Sequence, residues 1–478
     1  MKKRKNNIVL INPWIYDFAA FDLWVKPLGL LYIDALLRRN GYETHLIDCL
    51  DRYHPELLKL QGRRRPKRKR YGTGPFHKEV IEKPEVYRNI KRRYGRYGIT
   101  EEIFQEELRA LESPDVILVT SGMTYWYPGP FRVIRLVREC FPGTPIILGG
   151  IYATLCPDHA KEHSGADTIV VGEGEQEALR LVDELTGQRS SYWPDPENLD
   201  SYPWPDYTSG HRLEWMPLLT SRGCPYRCSY CASHKLYRAF RQRHPQNVFE
   251  EIEYAYRTMK VRNFVFYDDA LLVRAESHIH PLLDEVTNRN MSCTFHTPNG
   301  LSPRDIDEVL ADKLFCAGFK TVRLSFETGD IERHKGMNSQ GTAEELAFAI
   351  DCLECAGYQT KELEVYVLVG LPGQSFEEMM ERIVFVAKCG AKIRLALYSP
   401  IPGTMDWEKG VQLFDFDAQA DPLLHNNTLL PFFPSGNPSL EQLQGLVKIL
   451  NSAIDQGVNV LRPSTLSKTF LNALEKWD

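Results

Sequence analysis

Short apolar runs that end at small or polar residues alternate with helix-length segments through the first 190 residues. The first run, at 8–11, ends at Asn12-Pro13, and Gly41 follows a segment with helical spacing at 28–40. Further runs lie at 44–47, 116–120, 145–148 and 168–171. Strands that are joined by helices form parallel sheets. The order therefore predicts an α/β fold that begins with a Rossmann-like, doubly wound parallel sheet over residues 1–188.

A second series of strand-like runs follows a Pro-, Ser- and aromatic-rich segment at 189–217, which predicts a linker. The six runs of this series lie near 218–220, 263–267, 292–296, 321–326, 364–369 and 393–398. Six βα units in about 190 residues favour a partial, TIM-like (β/α)6 barrel over 218–404 rather than another open sheet.

The tail, 405–478, contains the capping box Ser439-Leu440-Glu441-Gln442, followed by apolar residues on one helix face. A second helix is predicted at 464–477. We expect the tail to form a small α-helical C-terminal cap.

The overall composition excludes several classes of protein. The 478 residues carry 58 basic and 63 acidic side chains, a net charge of −5, and the fractions of 43% apolar and 25% charged residues are typical of globular proteins. We expect no membrane span, since no apolar run reaches the ~20 residues that a spanning helix needs. The apolar run after the basic N-terminus is too short for a signal peptide. The protein is therefore predicted to be cytoplasmic, with its eleven cysteines as thiols or ligands rather than disulfides.

A strongly basic stretch interrupts the first predicted domain. Residues 63–98, within an insertion at about 55–110, hold 14 Lys and Arg against three Glu. This segment carries +11, so the rest of the chain carries −16. It is either a loop that binds an anion, such as nucleic acid, a phosphorylated substrate or a cofactor tail, or simply a solvated loop.

Three cysteines lie within eight residues, in the loop after the first predicted barrel strand. Cys224, Cys228 and Cys231 are soft thiolate ligands, which favour an iron–sulfur cluster or zinc. A zinc site would take His234 as its fourth ligand. A [4Fe–4S] cluster held by three cysteines would leave one iron open to another molecule. The loop lies at the face where barrel enzymes carry their active sites, which favours the reactive cluster.

The spacing C-x3-C-x2-C, with the aromatic Tyr230 just before Cys231, resembles the hallmark of the radical S-adenosylmethionine (SAM) superfamily. The resemblance implies a [4Fe–4S] cluster on Cys224, Cys228 and Cys231, with SAM bound to the open iron. It also implies reductive cleavage of SAM to a 5′-deoxyadenosyl radical, and an electron donor such as flavodoxin or ferredoxin.

The same resemblance implies a set of SAM-binding residues at later strand ends. Asp268 and Asp269 would face the SAM ammonium group, and Glu327 the ribose or the methionine part. The whole predicted set is Tyr230, Asp268, Asp269, Asn299, Glu327 and Gly370. The barrel mouth is expected near Asp268, His296, Glu327 and Tyr398.

The glycine-rich strand ends of the first domain resemble the cobalamin-binding domain that precedes many radical SAM barrels. Small residues let a loop approach a corrin ring closely. The residues that this resemblance implies are Leu28, Gly29, Ser121, Gly122, Met123, Gly149, Gly150, Tyr152, Gly172, Glu173 and Gly174. The chain lacks the Asp-x-His-x-x-Gly string that supplies histidine to cobalt. The lower corrin face would therefore meet loop residues such as Met123, Trp126, Tyr127 or Tyr152.

Together these resemblances imply a cobalamin-dependent radical SAM enzyme that methylates an unactivated carbon of a small-molecule or peptide substrate. Three alternatives stay open at this point. One is a non-methylating radical reaction, such as cyclisation, rearrangement or C–C coupling, and another is RNA modification with 63–98 as the contact. The third is a non-catalytic zinc-binding protein. No recognisable RNA-binding module is present, so nucleic acid is not the expected partner.

Overall fold

The computed structural model describes residues 6–205, 207, 213–327, 341–414, 421–429 and 440–457. Its strands are β1 Asn7–Asn12, β2 Ile15–Asp17, β3 Phe21–Asp22, β4 Glu43–Asp48, β5 Gly74–Pro75, β6 Lys78–Val80, β7 Gly95–Tyr97, β8 Val116–Val119, β9 Ile146–Leu148, β10 Thr168–Ile169, β11 Met216–Leu218, β12 Ser221–Arg222, β13 Arg241–Gln242, β14 Asn263–Phe266, β15 Thr294–His296, β16 Phe319–Thr321, β17 Arg323–Phe326, β18 Glu364–Val369 and β19 Lys392–Leu397.

Its α-helices are α1 Leu28–Arg39, α2 Pro55–Leu60, α3 Glu101–Ala110, α4 Pro128–Cys140, α5 Ile151–Leu155, α6 Pro157–His163, α7 Glu175–Thr186, α8 Ser233–Leu236, α9 Pro245–Tyr254, α10 Ile279–Asn288, α11 Glu308–Ala317, α12 Ala343–Cys355, α13 Phe376–Lys388, α14 Met405–Phe414 and α15 Leu440–Asp455. Within the described ranges, none of these helices combines the length and the apolarity that crossing a membrane requires.

The N-terminal strands form a five-stranded, all-parallel sheet in the order β10-β9-β8-β1-β4. Its central strands are buried on both faces, which is why they read as continuous apolar runs in the sequence. Helices α1 and α7 cover one face and α3 and α4 cover the other. This arrangement confirms the predicted doubly wound sheet.

The basic insertion folds over the carboxyl edge of this sheet as small antiparallel sheets. Strand β7 pairs with β2 and β6, and β5 pairs with β3. Several of its charges are partnered: Arg96 pairs with Glu79 and Glu101, and Arg68 Nη1 lies 2.6 Å from Glu214 Oε1. The insertion is thus an ordered layer between the N-terminal sheet and the following strands.

The second half of the chain forms two parallel sheets that share one strand position. Their orders are β11-β14-β15-β16 and β17-β18-β19. Only Val322 separates β16 from β17, and a parallel bridge between Leu301 and Leu324 joins the two sheets. The seven assigned strands therefore occupy six successive positions, as predicted for the partial (β/α)6 barrel.

Alternate residues of the barrel strands face different surroundings. Phe264, Phe266, Phe295 and Phe319 stack on one another in the core beneath the surrounding helices. The residues between them, such as Val265 and His296, face away from that core and contact Trp24 from the N-terminal region. The period of two thus separates a helix-covered apolar face from an inner face that can carry polar groups.

The segment predicted as a linker contributes to the barrel core, since Leu199, Tyr202 and Tyr207 are buried there. Of the predicted cap, α15 packs Leu443, Leu446, Val447, Leu450 and Ile454 against the barrel. The Asn451 side chain also hydrogen-bonds both backbone groups of Ile393, on the strand at the sheet edge. Ser439 of the capping box and the helix predicted at 464–477 lie outside the described residues.

Replacing a buried residue of α15 tests how far this helix stabilises the barrel. Leu450 is 4% exposed, whereas its neighbour Ile449 is 49% exposed. We expect Leu450→Ala to lower the free energy of unfolding by roughly 2–5 kcal/mol, through lost burial and a residual cavity. Ile449→Ala is the control and should change it by less than about 1 kcal/mol. Denaturant unfolding measures both, and equal effects would show that α15 does not pack as described.

Candidate functional site

The three cysteines lie in a loop that is closed at its base by a short antiparallel pair, β12 with β13. Gly223 begins the loop with a φ of +77°, and a Cβ there would lie 2.8 Å from the Ala239 carbonyl oxygen. Only glycine fits this position without strain. The chain must therefore turn sharply at the residue before Cys224, which directs the cysteine loop across the end of the barrel.

The loop is held by its own backbone and by α14. The Cys231 N–H donates to the Cys228 carbonyl at 3.0 Å, and the Ser233 N–H lies 3.5 Å from Cys231 Sγ. Ser229 donates its hydroxyl to Asp406 Oδ2 at 2.7 Å, while the Asp406 N–H donates to the Ser229 carbonyl at 3.0 Å. These contacts fix the loop before any ligand is added.

All three cysteines are free thiols in this structure, and Cys228 is 5% exposed. Burial raises the pKa of Cys224 to about 12 and also raises the pKa of Cys228 and Cys231. Neutral thiols are therefore favoured unless a cation is bound to them. An iron–sulfur cluster supplies that positive charge, so the donor set fits the cluster implied by the motif.

The zinc alternative requires a different arrangement. Among the described residues, no group of three or more His, Cys, Asp or Glu side chains converges to hold one metal ion. His234 is half-buried on α8, three residues after Cys231. In a four-iron cluster each thiolate binds a different iron, so the three thiols need not converge on one point. The geometry favours the cluster.

Two of the predicted SAM-binding residues are joined directly. Tyr230 donates its hydroxyl to Glu327 Oε1 at 2.9 Å, although 97 residues separate them in the chain. The Arg382 guanidinium donates to the Glu327 carbonyl at 2.6 Å and so holds the end of β17 from below. The cysteine loop and the fourth strand position therefore meet at the barrel mouth. Thr328 and Gly329, which follow in the sequence, lie outside the described residues.

Asp268 and Asp269, which the sequence predicts at the SAM ammonium group, have separate partners. The Asp268 carboxylate is buried and accepts hydrogen bonds from Thr220 N, Thr220 Oγ1 and Ser221 Oγ. Asp269 Oδ2 accepts from Ser233 Oγ at 2.5 Å, beside the third cysteine. Asp268 thus supports the strand that enters the loop, and Asp269 is the closer of the two to the thiols.

The other predicted SAM-binding residues also lie at the mouth. Asn299 Nδ2 donates to the Tyr267 carbonyl at 2.8 Å, across the neighbouring strand end. Gly370 turns the chain with a φ of +84°, and its N–H donates to Gln374 Oε1 at 2.7 Å. The backbone of Gly370 faces open space, since a Cβ there would have no atom within 4 Å. These positions can accommodate a ligand.

A cavity of about 450 Å³ lies between the carboxyl edge of the N-terminal sheet and the cysteine loop. Nine residues of the predicted cobalamin set line it: Leu28, Gly29, Ser121, Gly122, Gly149, Gly150, Gly172, Glu173 and Gly174. The barrel side contributes Leu219, Arg222, Leu236, Tyr237 and Tyr267. The cavity is therefore shared by the glycine loops and by the residues that flank the cysteines.

Two residues of the predicted set do not line this cavity. Met123 is exposed, and Tyr152 points from α5 into the core, where its hydroxyl lies 2.6 Å from His159 Nδ1. The Tyr152 ring stacks there on the neighbouring Tyr127 ring, and this contact favours its position in the core. Trp126, by contrast, lines the cavity, and its indole N–H donates to the buried Asp17 at 2.8 Å.

The backbone geometry of the cavity lining requires a glycine at position 150. Gly150 has a φ of +95°, and a Cβ on it would lie 2.4 Å from the Ser121 carbonyl oxygen. Any side chain would push apart two strand ends that both line the cavity. A close backbone approach of this kind is typical of loops that bind a large planar or phosphorylated cofactor.

Buried ion pairs join the two halves of the site. Arg222, two residues before Cys224, lies 2.6 Å from Glu175 and 3.3 Å from Glu173, and all three side chains are less than 10% exposed. Arg241 also pairs with Glu173. Sequence analysis placed Glu173 against cobalamin; here its carboxylate is occupied by arginines from the barrel.

Sequence reasoning missed several residues of this site. Arg222 gave no clear signal, because an arginine requires a carboxylate partner only when it is buried, and its burial is visible only in the structure. Arg382 gave no signal, because its role depends on helix α13 packing against the end of β17, which is distant in sequence. Gln374 contacts the turn that immediately precedes it, where a glutamine has no distinctive sequence signal.

Comparison with known proteins agrees with this arrangement. The radical SAM superfamily profile matches residues 218–386, and the B12 binding domain profile matches residues 96–182. The chain is 26% identical over 362 residues to the anaerobic magnesium-protoporphyrin IX monomethyl ester cyclase of Rubrivivax gelatinosus, covering 67% of this chain and 63% of the cyclase. It is 21% identical to the cytidylyl-2-hydroxyethylphosphonate methyltransferase of Streptomyces wedmorensis, covering 84% of this chain and 81% of that protein.

A solved structure shares the fold over nearly the whole chain. It is the radical S-adenosylmethionine methyltransferase TsrM from Kitasatospora setae, with cobalamin and a [4Fe–4S] cluster bound. The TM-score is 0.64 at 16% sequence identity, and the match covers 94% of this chain and 91% of TsrM. At this identity the likeness concerns the fold.

The pH dependence of stability tests the environment of Asp268. Burial raises the pKa of this carboxyl to about 6, although its hydrogen bonds oppose the shift. The unfolded chain therefore loses the proton at lower pH than the folded one, so stability falls as the pH rises toward 6 and levels off above it. Relative to Asp268→Asn, we expect the wild type to lose about 1 kcal/mol between pH 5 and pH 7. Urea unfolding at several pH values measures this, and a constant difference would contradict it.

Proposed function

This chain is a member of the radical SAM superfamily with a B12 binding domain, and we propose that it is a cobalamin-dependent enzyme that methylates an unactivated carbon. The observation that carries the proposal is the shared cavity. Glycine loops of the N-terminal sheet and residues beside the cysteine loop line one space. A corrinoid bound there would be next to the cluster and SAM, as methyl transfer to a radical carbon requires.

Cys224, Cys228 and Cys231 would hold the [4Fe–4S] cluster, and SAM would lie at the mouth formed by Tyr230, Asp269, Asn299, Glu327 and Gly370. When bound, the cluster and SAM supply a 5′-deoxyadenosyl radical and the corrinoid supplies the methyl group. The chain's own residues orient these groups. The Tyr230–Glu327 hydrogen bond fixes the cysteine loop against β17, and the Ser233–Asp269 hydrogen bond fixes its far end.

The mouth also excludes water from a reactive species. Leu368, Leu371 and Tyr398 form a small buried apolar cluster with Tyr230. These close-packed side chains keep solvent out and limit the movement of bound groups. Selectivity for one carbon then depends on how closely the substrate is positioned at the mouth.

The cobalamin contacts proposed here are the nine cavity-lining residues named above, with Trp126 beside them. No described histidine lines the cavity. We propose that the corrin contacts backbone and apolar side chains there, since the Trp126 indole is held in place by Asp17 and cannot act as a metal ligand.

A second candidate reaction is a radical cyclisation without methyl transfer, favoured by the similarity to the cyclase over two thirds of this chain. Rearrangement and C–C coupling belong to the same candidate. The two candidates differ in one product, because only methyl transfer converts SAM to S-adenosylhomocysteine. The electron donor, the cytoplasmic location and a small-molecule or peptide substrate are also parts of the proposal. RNA modification and zinc binding stay alternatives that the next experiments test.

Anaerobic reconstitution with iron, sulfide and hydroxocobalamin tests the function directly. We expect about four irons per chain, retention of the corrinoid through gel filtration, and formation of both 5′-deoxyadenosine and S-adenosylhomocysteine from SAM under reduction. Formation of 5′-deoxyadenosine alone would favour the cyclisation candidate. Failure to bind a corrinoid, or zinc in place of iron, would contradict the proposal.

Substituting a single cysteine distinguishes cluster ligands from packing cysteines. Cys228→Ala removes a thiolate that no described neighbour replaces, so we expect the yield of 5′-deoxyadenosine to fall at least a hundredfold. Cys355→Ala changes an exposed cysteine on α12 and is the matched control, with activity expected within twofold of the wild type. Full activity in Cys228→Ala would contradict the assignment of the triad.

A further inference from the structure

A second cavity lies on the inner face of the barrel sheet, on the side of β17, β18 and β19 that faces the N-terminal region. Its volume is about 780 Å³. We propose that this cavity binds a small-molecule polyanion, as the phosphate or carboxylate end of the enzyme's substrate. That this anion belongs to the substrate rests on the function proposed above, whereas anion binding itself does not depend on that function.

One wall consists of barrel residues that alternate along the strands. Arg323, Tyr366 and Arg394 line the cavity, while Leu324, Val365 and Ile393 between them are buried in the apolar core. The lining residues are therefore presented on the same face of three neighbouring strands. The pleat of the sheet fixes their relative positions.

The opposite wall comes from the N-terminal half of the chain. Two segments line it, through Phe21, Leu23 and Trp24 and through Lys69, Arg70, Tyr71 and Thr73. The pairing of β3 with β5 holds these two segments together. Trp24 donates its indole N–H to the Tyr71 carbonyl at 3.0 Å. The basic insertion thus closes the open side of the partial barrel and contributes its own cations to the space.

The charge of the lining is strongly positive. Its seven basic residues are Lys69, Arg70, Lys320, Arg323, Lys361, Lys392 and Arg394, and its three acidic residues are Glu362, Glu364 and Asp455. Glu364 is shared by Arg323 and Arg394, and Lys392 pairs with Asp455. Among the described residues the other four cations have no carboxylate partner. An excess of four positive charges around one cavity attracts a multiply charged anion.

Arg323 differs from the exposed lysines of this cavity because its side chain is buried. It is 6% exposed; its Nε donates to Glu364 at 2.7 Å, and its Nη1 donates to the Tyr366 hydroxyl at 2.8 Å. Within the described part of the chain, its third nitrogen, Nη2, has no hydrogen-bond acceptor. A buried guanidinium that is oriented on one side and unoccupied on the other is suited to bind phosphate or carboxylate oxygens.

The location connects this cavity to the proposed radical site. Along β18, the next residue on the inner face after Tyr366 is Leu368, which belongs to the apolar cluster of Tyr230. Arg323 is in register with Glu364, four residues before Leu368, and this corresponds to about 13 Å of strand. A substrate whose anionic end binds at Arg323 must therefore extend about that far to present a carbon at the mouth.

The size of the cavity argues for a small molecule rather than a nucleic acid. A volume of this size is typical of small-ligand sites, and the strap of residues 69–73 lies along one side of it. An RNA would instead meet the exposed arginines that precede the strap, such as Arg64 and Arg65, which do not line the cavity.

Calorimetric titration of the full-length protein with inorganic pyrophosphate, and separately with citrate, tests the proposal. We expect a dissociation constant at or below about 1 mM for at least one probe; the tighter one identifies phosphate or carboxylate as the preferred group. Lys69→Gln/Arg70→Gln should weaken that binding at least tenfold. The matched control, Arg64→Gln/Arg65→Gln, removes the same charge from the same insertion and should change it less than twofold.

Three results would overturn the proposal. These are no heat with either probe at 10 mM, equal weakening by both double variants, or binding of tRNA that both double variants abolish while neither probe binds. All four substituted residues are exposed, and circular dichroism checks that the variants fold. The titration needs neither corrinoid nor turnover. If the enzyme does not transfer methyl groups, it should therefore still bind the probe. Failure of the proposed function and failure of the proposed anion site thus give different results.

Discussion

The buried ion pairs of Arg222 with Glu173 and Glu175 are the interaction on which the architecture of the site depends. They connect a strand-end loop of the N-terminal sheet to the residue that precedes the cysteine loop. Removing one partner of such a buried pair costs about 3–5 kcal/mol, because the remaining charge stays desolvated. The pairs also fix register: Glu173 can satisfy Arg222 and Arg241 together only when the glycine loops lie against the barrel mouth.

From this junction the rest of the site follows. The cavity between the glycine loops and the cysteine loop exists because the two halves meet at the carboxyl ends of both sets of parallel strands, where loops converge. The basic insertion then covers the remaining open side of the barrel, where the Tyr71 ring contacts the buried His296 ring at a tilt. Two cavities result, one between the sheets and one inside the barrel, and the apolar cluster around Tyr230 floors the mouth above the second.

Much of this could be predicted from the sequence, for local reasons. Strands buried on both faces give continuous apolar runs, so both parallel sheets were visible, and the spacing of Cys224, Cys228 and Cys231 is a property of one short loop. The strand-end glycines likewise marked nine residues that line the N-terminal cavity. Contacts between distant segments were not visible: the Glu173 carboxylate pairs with arginines of the barrel, and Tyr152 packs in the core. The charged residues on the inner face of β17–β19 gave no signal either. The sequence pattern of a strand is the same whether its charged residues face the interior of a barrel or the solvent.

The central claim is that the corrinoid and the iron–sulfur cluster occupy neighbouring positions across the Arg222 junction. Electron paramagnetic resonance of the reconstituted, cobalamin-loaded protein tests it, with cobalt in its Co(II) state and the cluster reduced. Two paramagnetic centres that share this space should broaden or split each other's signals. A spectrum equal to the sum of the two separate signals would place the corrinoid elsewhere and contradict the claim.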